Sequence, residues 1–407
     1  MTKSTLQQQL ETLSAARYPL HMPGHKRRVP PAPGLGCYAW DLTEIDGADD
    51  LHDADGILAD AMARTAALYG ARRCWYLVGG STVGLLAGIR ALAPFGSTVI
   101  AARNCHKAVY HAIELGQLTA RWLTPPVDPQ FGVYGSVRPA DVAAALDAAP
   151  DARCVILTSP TYEGVLSDIR TIAEICHARG VPLLVDEAHG AHYLPFAARY
   201  GWRGGAVAAG ADLVVQSAHK TLPSLTQTAF LQLNGDLADP AEVERQLDVF
   251  ETSSPSYPLM VSLDGCTRWL ADEGEAAFAA WRARLDAFDA AVRDLKNTKI
   301  LCCGADALTA HPDFFAHDSG KILLQIGAAR CTIAEALLRP ARAVKLRDAV
   351  GETAAEYLWA YPPGVPLVAP GEEVTAELVT ACRALEQAGT ALKHTGGSGA
   401  EEIAVLL

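Results

Sequence analysis

Leu213-Val214-Val215-Gln216 runs directly into Ser217-Ala218-His219-Lys220-Thr221. The apolar run has the composition of a buried strand, and the polar cluster begins where that strand would end. In an open α/β sheet the carboxyl ends of the strands face the ligand crevice. A lysine there is poorly solvated, its pKa falls, and it can form a Schiff base. A surface lysine in a loop is the ordinary alternative, because most lysines are exposed.

Outward from this stretch the same pattern repeats. Apolar runs lie at Cys74–Val78, Thr98–Ala102, Arg121–Leu123, Cys154–Thr158, Leu183–Val185 and Phe230–Leu233. Between most of them are segments with 3.6-residue apolar spacing: Val83–Leu92, Ala108–Leu115, Val142–Ala148 and Ile172–Ala178. Strand and helix in alternation predict right-handed βαβ units on a mainly parallel sheet of seven strands. The strands are apolar throughout, as expected when helices cover both faces. Beyond them Ala271–Asp294 is a long helical pattern. Lys299–Cys303 and Lys321–Ile326 are candidate short strands, followed by Thr332–Leu338, Ala343–Ala354 and a last helix over Glu373–Ala388. Thr395–Gly399 is expected to be a mobile Gly/Ser-rich tail.

With 407 residues, half of them hydrophobic, the chain has material for a large core and exceeds the usual size of a single domain. Its net charge of −12 offers no basic footprint for nucleic acid or an anionic membrane. The first twenty residues lack an apolar core of signal-peptide length, and no run of about 18 apolar residues could span a bilayer. The ten cysteines therefore read as reduced thiols of a cytoplasmic protein. No pair is spaced C-x-x-C, and the adjacent Cys302 and Cys303 suit neither a zinc site nor an ordinary disulfide.

Two further stretches join Lys220. Asp186 ends the run Val181-Pro182-Leu183-Leu184-Val185, so it too sits at a strand's carboxyl end. Gly79-Gly80-Ser81-Thr82-Val83-Gly84 falls between a strand and a helix. Such a turn offers backbone N–H groups, hydroxyls and a helix N-terminus to a phosphate. It is neither a nucleotide P-loop nor G-x-G-x-x-G, and alone it reads as a plain helix cap. Together, a phosphate cradle, an aspartate and a lysine at strand ends of one sheet are what pyridoxal 5'-phosphate requires. The lysine holds the aldehyde, the aspartate favours the protonated ring nitrogen, and the helix N-terminus takes the phosphate.

The chain resembles the bacterial Orn/Lys/Arg decarboxylase family. The matching stretches are His21-Met22-Pro23-Gly24-His25-Lys26, Asp41-Leu42-Thr43-Glu44 leading to Asp49-Asp50-Leu51-His52, and Gly79 to Gly84. They continue with Arg103-Asn104-Cys105-His106-Lys107, Ser159-Pro160-Thr161-Tyr162, Asp186-Glu187-Ala188-His189-Gly190, Ser217-Ala218-His219-Lys220, Thr252-Ser253-Ser254-Pro255-Ser256-Tyr257 and Tyr361 to Pro366. The resemblance implies the aspartate-aminotransferase type fold (fold type I) and pyridoxal phosphate as cofactor. It implies that Lys220 carries the cofactor as an imine, that Asp186 partners the pyridine nitrogen, and that Ala188 lies beneath the ring. His106 would stack on the other ring face. Ser81, Thr82, Ser217 and His219 would form the phosphate and active-site polar shell, with His219 a candidate proton donor beside Lys220. Thr252 and Ser253 would reach the neighbouring subunit's cofactor, which implies a homodimer with shared sites.

The implied organisation is an N-terminal segment over 1–40, a cofactor-binding large domain over 41–260 and a reduced α/β small domain over 261–407. The small domain is shortened, because little chain separates Asp318-Ser319-Gly320-Lys321 from Arg339-Pro340-Ala341-Arg342. The implied reaction is decarboxylation of arginine, lysine or ornithine to the amine and carbon dioxide. An altered grip on the substrate carboxylate would leave room for transamination, elimination or cyclisation instead, and a non-catalytic cofactor-binding protein is a third reading.

Other patterns carry less. His189 and His192 have an i, i+3 spacing but no third metal ligand. His21 and His25 are separated by Pro23 and Gly24 and do not share a helix face. Asp49–Gly56 superficially resembles a calcium loop, but the register puts Leu51 and Met62 where Asp and Glu are needed. It reads as a solvated acidic turn or as a contact to a basic substrate or a neighbouring subunit. No metal site and no G-x-S-x-G hydrolase motif is expected.

Overall fold

A computed structural model describes residues 49–292, 298–301, 311–326, 330–331, 333–361, 365–387, 389, 391–396 and 401–407. The 1–40 segment, the motifs at His21–Lys26 and Asp41–Glu44, Cys302, Cys303 and Pro362–Gly364 lie outside these residues. In chain order the elements are α1 (Ile57–Tyr69), β1 (Arg73–Leu77), α2 (Gly80–Leu92), β2 (Thr98–Ala102), α3 (Lys107–Leu115), β3 (Thr119–Leu123), α4 (Pro139–Ala148), β4 (Ala152–Thr158) and β5 (Val165–Leu166). There follow α5 (Ile169–His177), β6 (Leu183–Asp186), α6 (Ala206–Ala209), β7 (Leu213–Gln216), α7 (Ala218–Thr221), β8 (Ala229–Leu233), α8 (Pro240–Phe250) and α9 (Tyr257–Val292).

All seven apolar runs pair into one sheet, in the order β1-β8-β7-β6-β4-β2-β3. The expected fold type I large domain is therefore present. β8 alone is antiparallel to its neighbours; the pairings among β7, β6, β4, β2 and β3 are parallel. The carboxyl ends of β1, β2, β4, β6 and β7 thus share one edge, which the segment leading into β8 also meets. The strands are apolar because both faces are covered. Leu184, Leu213 and Val215 join one core with Leu77 and Ile89. Leu183, Val185 and Val214 point the other way, to a second core with Leu157 and Ile172.

The helix α2 approaches the sheet closely because of two glycines. A Cβ on Gly84 would lie 2.7 Å from Leu77 Cδ1 and 3.1 Å from Val215 Cγ1, and one on Gly88 would lie 2.9 Å from Leu184 Cδ1. This seat sets the N-terminus of α2 at the sheet's carboxyl edge.

The described residues form two compact units. One holds 49–290 and 311–322, the other 291–292, 298–301 and the described part of 323–407. The division expected at 260 falls inside the 36-residue helix α9. Ring packing keeps that helix with the sheet: Trp281 stacks on Trp202 at 4.1 Å between centroids, and Phe278 meets Phe196 edge-on at 5.2 Å. The strap 311–322 belongs to the same unit. His311 Nδ1 meets Asp128 Oδ2 at 2.6 Å, with both side chains buried.

The second unit begins with β9 (Thr298–Leu301); β10 (Ala316–His317) lies in the strap of the first unit and pairs with β5. After it come β11 (Leu323–Ile326), α10 (Ile333–Leu338), β12 (Ala341–Lys345), β13 (Leu358–Tyr361), β14 (Val365–Val368), α11 (Ala376–Gln387), β15 (Ala391–His394) and β16 (Glu402–Leu406). The short passage after Lys321 carries β11 and α10. Thr395–Gly399 is not a terminal tail: β16 follows it, pairs with β12, and buries Ile403 and Val405 in a core with Leu358 and Leu378. Residues 397–400 lie outside the described set. Ala343–Ala354 contains the end of β12, a 3-10 turn over Leu346–Asp348 and irregular chain.

Candidate active site

The carboxyl edge of the sheet gathers most of the residues singled out from the sequence. β6 ends on Asp186, in register with Thr158 of β4 and Val215 of β7. β7 ends one residue before Ser217, and Lys220 follows on the short helix α7. Asp186 is 3% exposed, and its Oδ1 accepts the backbone N–H of Ala188 at 3.1 Å. Burial raises its pKa, while the Ala188 N–H, the Lys220 ammonium and His106 pull it back. Lys220 is half-buried; desolvation lowers its pKa, and Asp186 opposes the shift. Each group therefore stabilises the charge on the other in a site that disfavours both charges alone.

The turn after β1 is linked to the turn after β7. Gly79 precedes α2, Gly80 has φ +77°, and Ser81 Oγ accepts a hydrogen bond from Ser217 Oγ at 3.0 Å. Glycine suits the positive φ at position 80. Thr82 is exposed on the first turn of α2. His106 caps α3, and its Nδ1 accepts from Ala108 N–H at 3.2 Å. Its ring is exposed, and its pKa is lowered by burial of part of the ring and by nearby lysines, against the pull of Asp186. His219 Nδ1 lies 2.9 Å from the carbonyl oxygen of Thr228. A carbonyl only accepts, so Nδ1 carries the hydrogen and Nε2 is bare in the neutral ring. Thr252 and Ser253 are exposed. They follow Glu251, whose Oε2 accepts the N–H groups of Val78 at 3.0 Å and Gly79 at 2.9 Å.

Three features of this edge were not legible as site residues. Glu251 is a single acid after a helix, and nothing in its sequence context points to the Gly79 turn. His189 lies between two lysines: its Nε2 is 3.1 Å from Lys220 Nζ and its Nδ1 is 3.3 Å from Lys321 Nζ. Its i, i+3 partner His192 lies elsewhere in contact, with Nε2 3.0 Å from buried Asp318 Oδ2. Among the described residues no group of three metal-ligating side chains converges. The acidic turn at Asp49 is also more specific than the sequence indicates. The Asp49 carboxylate accepts N–H groups of Asp55, Gly56 and Leu58 at 2.8–3.1 Å and so caps the entry to α1.

The site has unmet hydrogen-bonding capacity. Asn104 Oδ1, Thr158 Oγ1 and Thr221 Oγ1 are buried oxygens with no hydrogen-bond partner among the described residues. Each flanks a site residue, and buried polar atoms of this kind call for a polar ligand or water. A small buried side chain at Ala188, an open imidazole at His106, a buried carboxylate and a desolvated lysine match the donor set that pyridoxal phosphate needs.

The family model for the Orn/Lys/Arg decarboxylase major domain matches residues 33–322, well over half of the chain. The chain belongs to the Orn/Lys/Arg decarboxylase family. The C-terminal domain of Orn/Lys/Arg decarboxylases matches residues 326–400. The uncharacterized protein YaaO of Bacillus subtilis is 42% identical over 228 residues, covering 55% of this chain and 46% of YaaO. The chain thus matches less than half the length of that relative. An arginine decarboxylase of Halalkalibacterium halodurans is 28% identical over 451 residues, covering 91% of this chain and 90% of that protein. Among solved structures, the constitutive lysine decarboxylase of Escherichia coli superposes with a TM-score of 0.57 at 18% identity, over 98% of this chain and 81% of that one. That likeness concerns the fold. This Orn/Lys/Arg decarboxylase family member has no described helix long and apolar enough to cross a membrane.

Proposed function

We propose that the protein is a pyridoxal-phosphate-dependent decarboxylase of a basic L-amino acid (arginine, lysine or ornithine), releasing the amine and carbon dioxide. The observation that carries this reading is that Asp186 and Lys220 stand at and just past the carboxyl ends of adjacent strands and interact electrostatically, in a chain of this family. Lys220 would hold the cofactor's aldehyde and Asp186 its ring nitrogen, with Ala188 beneath the ring and His106 above it. Ser81, Thr82, Ser217 and His219 would surround the phosphate at the N-terminus of α2. When bound, the cofactor supplies an electron sink for the pair left at Cα as the carboxylate departs.

The chain's own residues do the rest. Desolvation favours neutral Lys220, the form that can exchange with a substrate amine. Asp186 keeps a negative charge where a cationic ring nitrogen is wanted, supported by the Ala188 N–H. Lys220 as its ammonium, or His219 once Nε2 has taken up a proton, returns a proton to Cα. Thr252 and Ser253 are assigned to the site of a second copy, making the working unit a homodimer. Seven cysteines are free among the described residues, in keeping with a reducing compartment such as the cytoplasm.

The test is to load the full chain with pyridoxal phosphate and offer arginine, lysine and ornithine separately, measuring carbon dioxide and amine together. Equimolar release of both from one of the three is expected. Consumption of the amino acid without carbon dioxide would assign the site to transamination, elimination or cyclisation.

A further inference from the structure

We propose that His189 is a proton relay joining Lys220 to Lys321. The proposal rests on the reading of Lys220 as the reacting lysine and adds a second lysine to its chemistry.

The geometry is a chain of three nitrogen groups. Lys220 Nζ lies 3.1 Å from His189 Nε2, and Lys321 Nζ lies 3.3 Å from His189 Nδ1. Each N···N contact needs one donor and one acceptor. A neutral imidazole has one of each. Its N–H therefore faces a lysine whose amine is neutral, and its bare nitrogen takes a hydrogen from the other lysine, which can be an ammonium. His189 is held neutral: burial is the largest influence pushing its pKa down, and a charged lysine beside it adds to the shift.

Two arrangements satisfy both contacts. In one, Lys220 is the ammonium and Lys321 the neutral amine; in the other the roles are exchanged. They interconvert without net charge movement out of the chain. A Lys220 N–H bond breaks as a hydrogen joins His189 Nε2, the His189 Nδ1–H bond breaks, and a new N–H bond forms on Lys321. Both lysines cannot be ammonium without breaking one contact.

The surroundings hold a charge at either end. Asp186 faces Lys220 and favours its ammonium. At the other end, buried Asp318 interacts with Lys321 and with His189. The Tyr162 ring lies 5.5 Å from Lys321 Nζ and meets His189 edge-on at 5.3 Å. Among the described residues, His317 also acts on Lys321 and His106 on His189. Lys220 must be neutral to join an aldehyde and protonated to return a hydrogen to carbon. Lys321, acting through His189, supplies a store for that proton.

Competitive acetylation of the full chain without cofactor, using acetic anhydride and peptide mass mapping across the neutral to alkaline range, reads the titration of Lys220 directly. Lys321→Met keeps the aliphatic stem but removes both the second cation and the place to which the proton moves. The Lys220 midpoint is expected to rise by about one pH unit, about tenfold less label at a pH below both midpoints. Lys321→Arg keeps a cation that can only donate to Nδ1, which turns Nε2–H toward Lys220 and holds that amine neutral. Its midpoint is expected below that of the parent chain. Opposite displacement by the two substitutions supports the relay. No displacement, or the same displacement in both, overturns it. Because no cofactor is present, the result is independent of whether Lys220 proves to be the cofactor-bearing lysine.

Discussion

Glu187, next to Asp186, gives a stability prediction with a defined sign. It is 0% exposed, with Oε1 accepting Ala206 N–H at 2.8 Å and Oε2 accepting Gln216 Nε2–H at 2.7 Å. Burial is the largest influence on its carboxyl and, together with Asp318 and Asp186, raises the pKa from 4.5 to about 8 despite those two hydrogen bonds. A folded-state pKa above the unfolded one means that the folded chain binds more protons. The contribution is complete below pH 4.5 and is lost as the pH rises through about 8. The slope is about 1.4 kcal/mol per pH unit, so the contribution falls by roughly 3 kcal/mol over two units within that window. Glu187→Gln removes the titration. The amide would set a donor against Gln216 Nε2, but the neighbours can reverse. Gln216 can turn its oxygen toward the new amide and its nitrogen toward Gln232 Oε1, which is buried and has no partner among the described residues. The variant should therefore match the parent to within about 1 kcal/mol near pH 5 and exceed it by about 3 kcal/mol two units higher. Urea unfolding of parent and variant at three pH values measures the difference, in which other titrating groups cancel. A difference that stays constant across that range would refute the assignment of a raised pKa to Glu187.

Asp186→Asn should retain cofactor but lose about 100-fold or more in turnover, since a neutral amide cannot support a cationic ring nitrogen and breaking a buried charge pair costs about 3–5 kcal/mol; near-normal turnover would remove Asp186 from that role. Gly84→Val should lower the melting temperature of the cofactor-free chain through about 1–3 kcal/mol of overpacking against Leu77 and Val215. It should also weaken cofactor binding, because Ser81 rides on the displaced helix; unchanged affinity in equilibrium dialysis would separate α2 from the phosphate site. Mixed dimers of a Lys220→Ala chain with a chain altered at both Thr252 and Ser253 should regain activity that neither parent has. Verified mixed dimers without activity would assign Thr252 and Ser253 to their own subunit.

The sheet was legible because each strand is buried on both faces and so reads as an unbroken apolar run. Leu183-Leu184-Val185 shows this well: alternate residues enter opposite cores, yet all are apolar. Asp186 and Lys220 stood out because a charged group directly after such a run has no ordinary structural reason to be there. Less was legible where the cause lies in tertiary contact. The α9 sequence carries no sign that Trp281 and Phe278 bind its second half to Trp202, so a division at 260 falls inside one helix. Thr395–Gly399 has the composition of a tail, but Ile403 and Val405 of β16, buried beyond it, tie the chain back to β12. Lys321 is 101 residues from Lys220 in the chain, and only the strap 311–322 brings it to the far side of His189.

Borohydride reduction of the cofactor-loaded chain, followed by peptide mapping, tests most directly whether Lys220 is the lysine on which the chemistry depends. A pyridoxyl adduct on Lys220, absent from Lys220→Ala together with the visible cofactor band while the circular dichroism of the fold is retained, is the predicted result. An adduct on Lys107, Lys321 or any other lysine, with Lys220 unmodified, would contradict it.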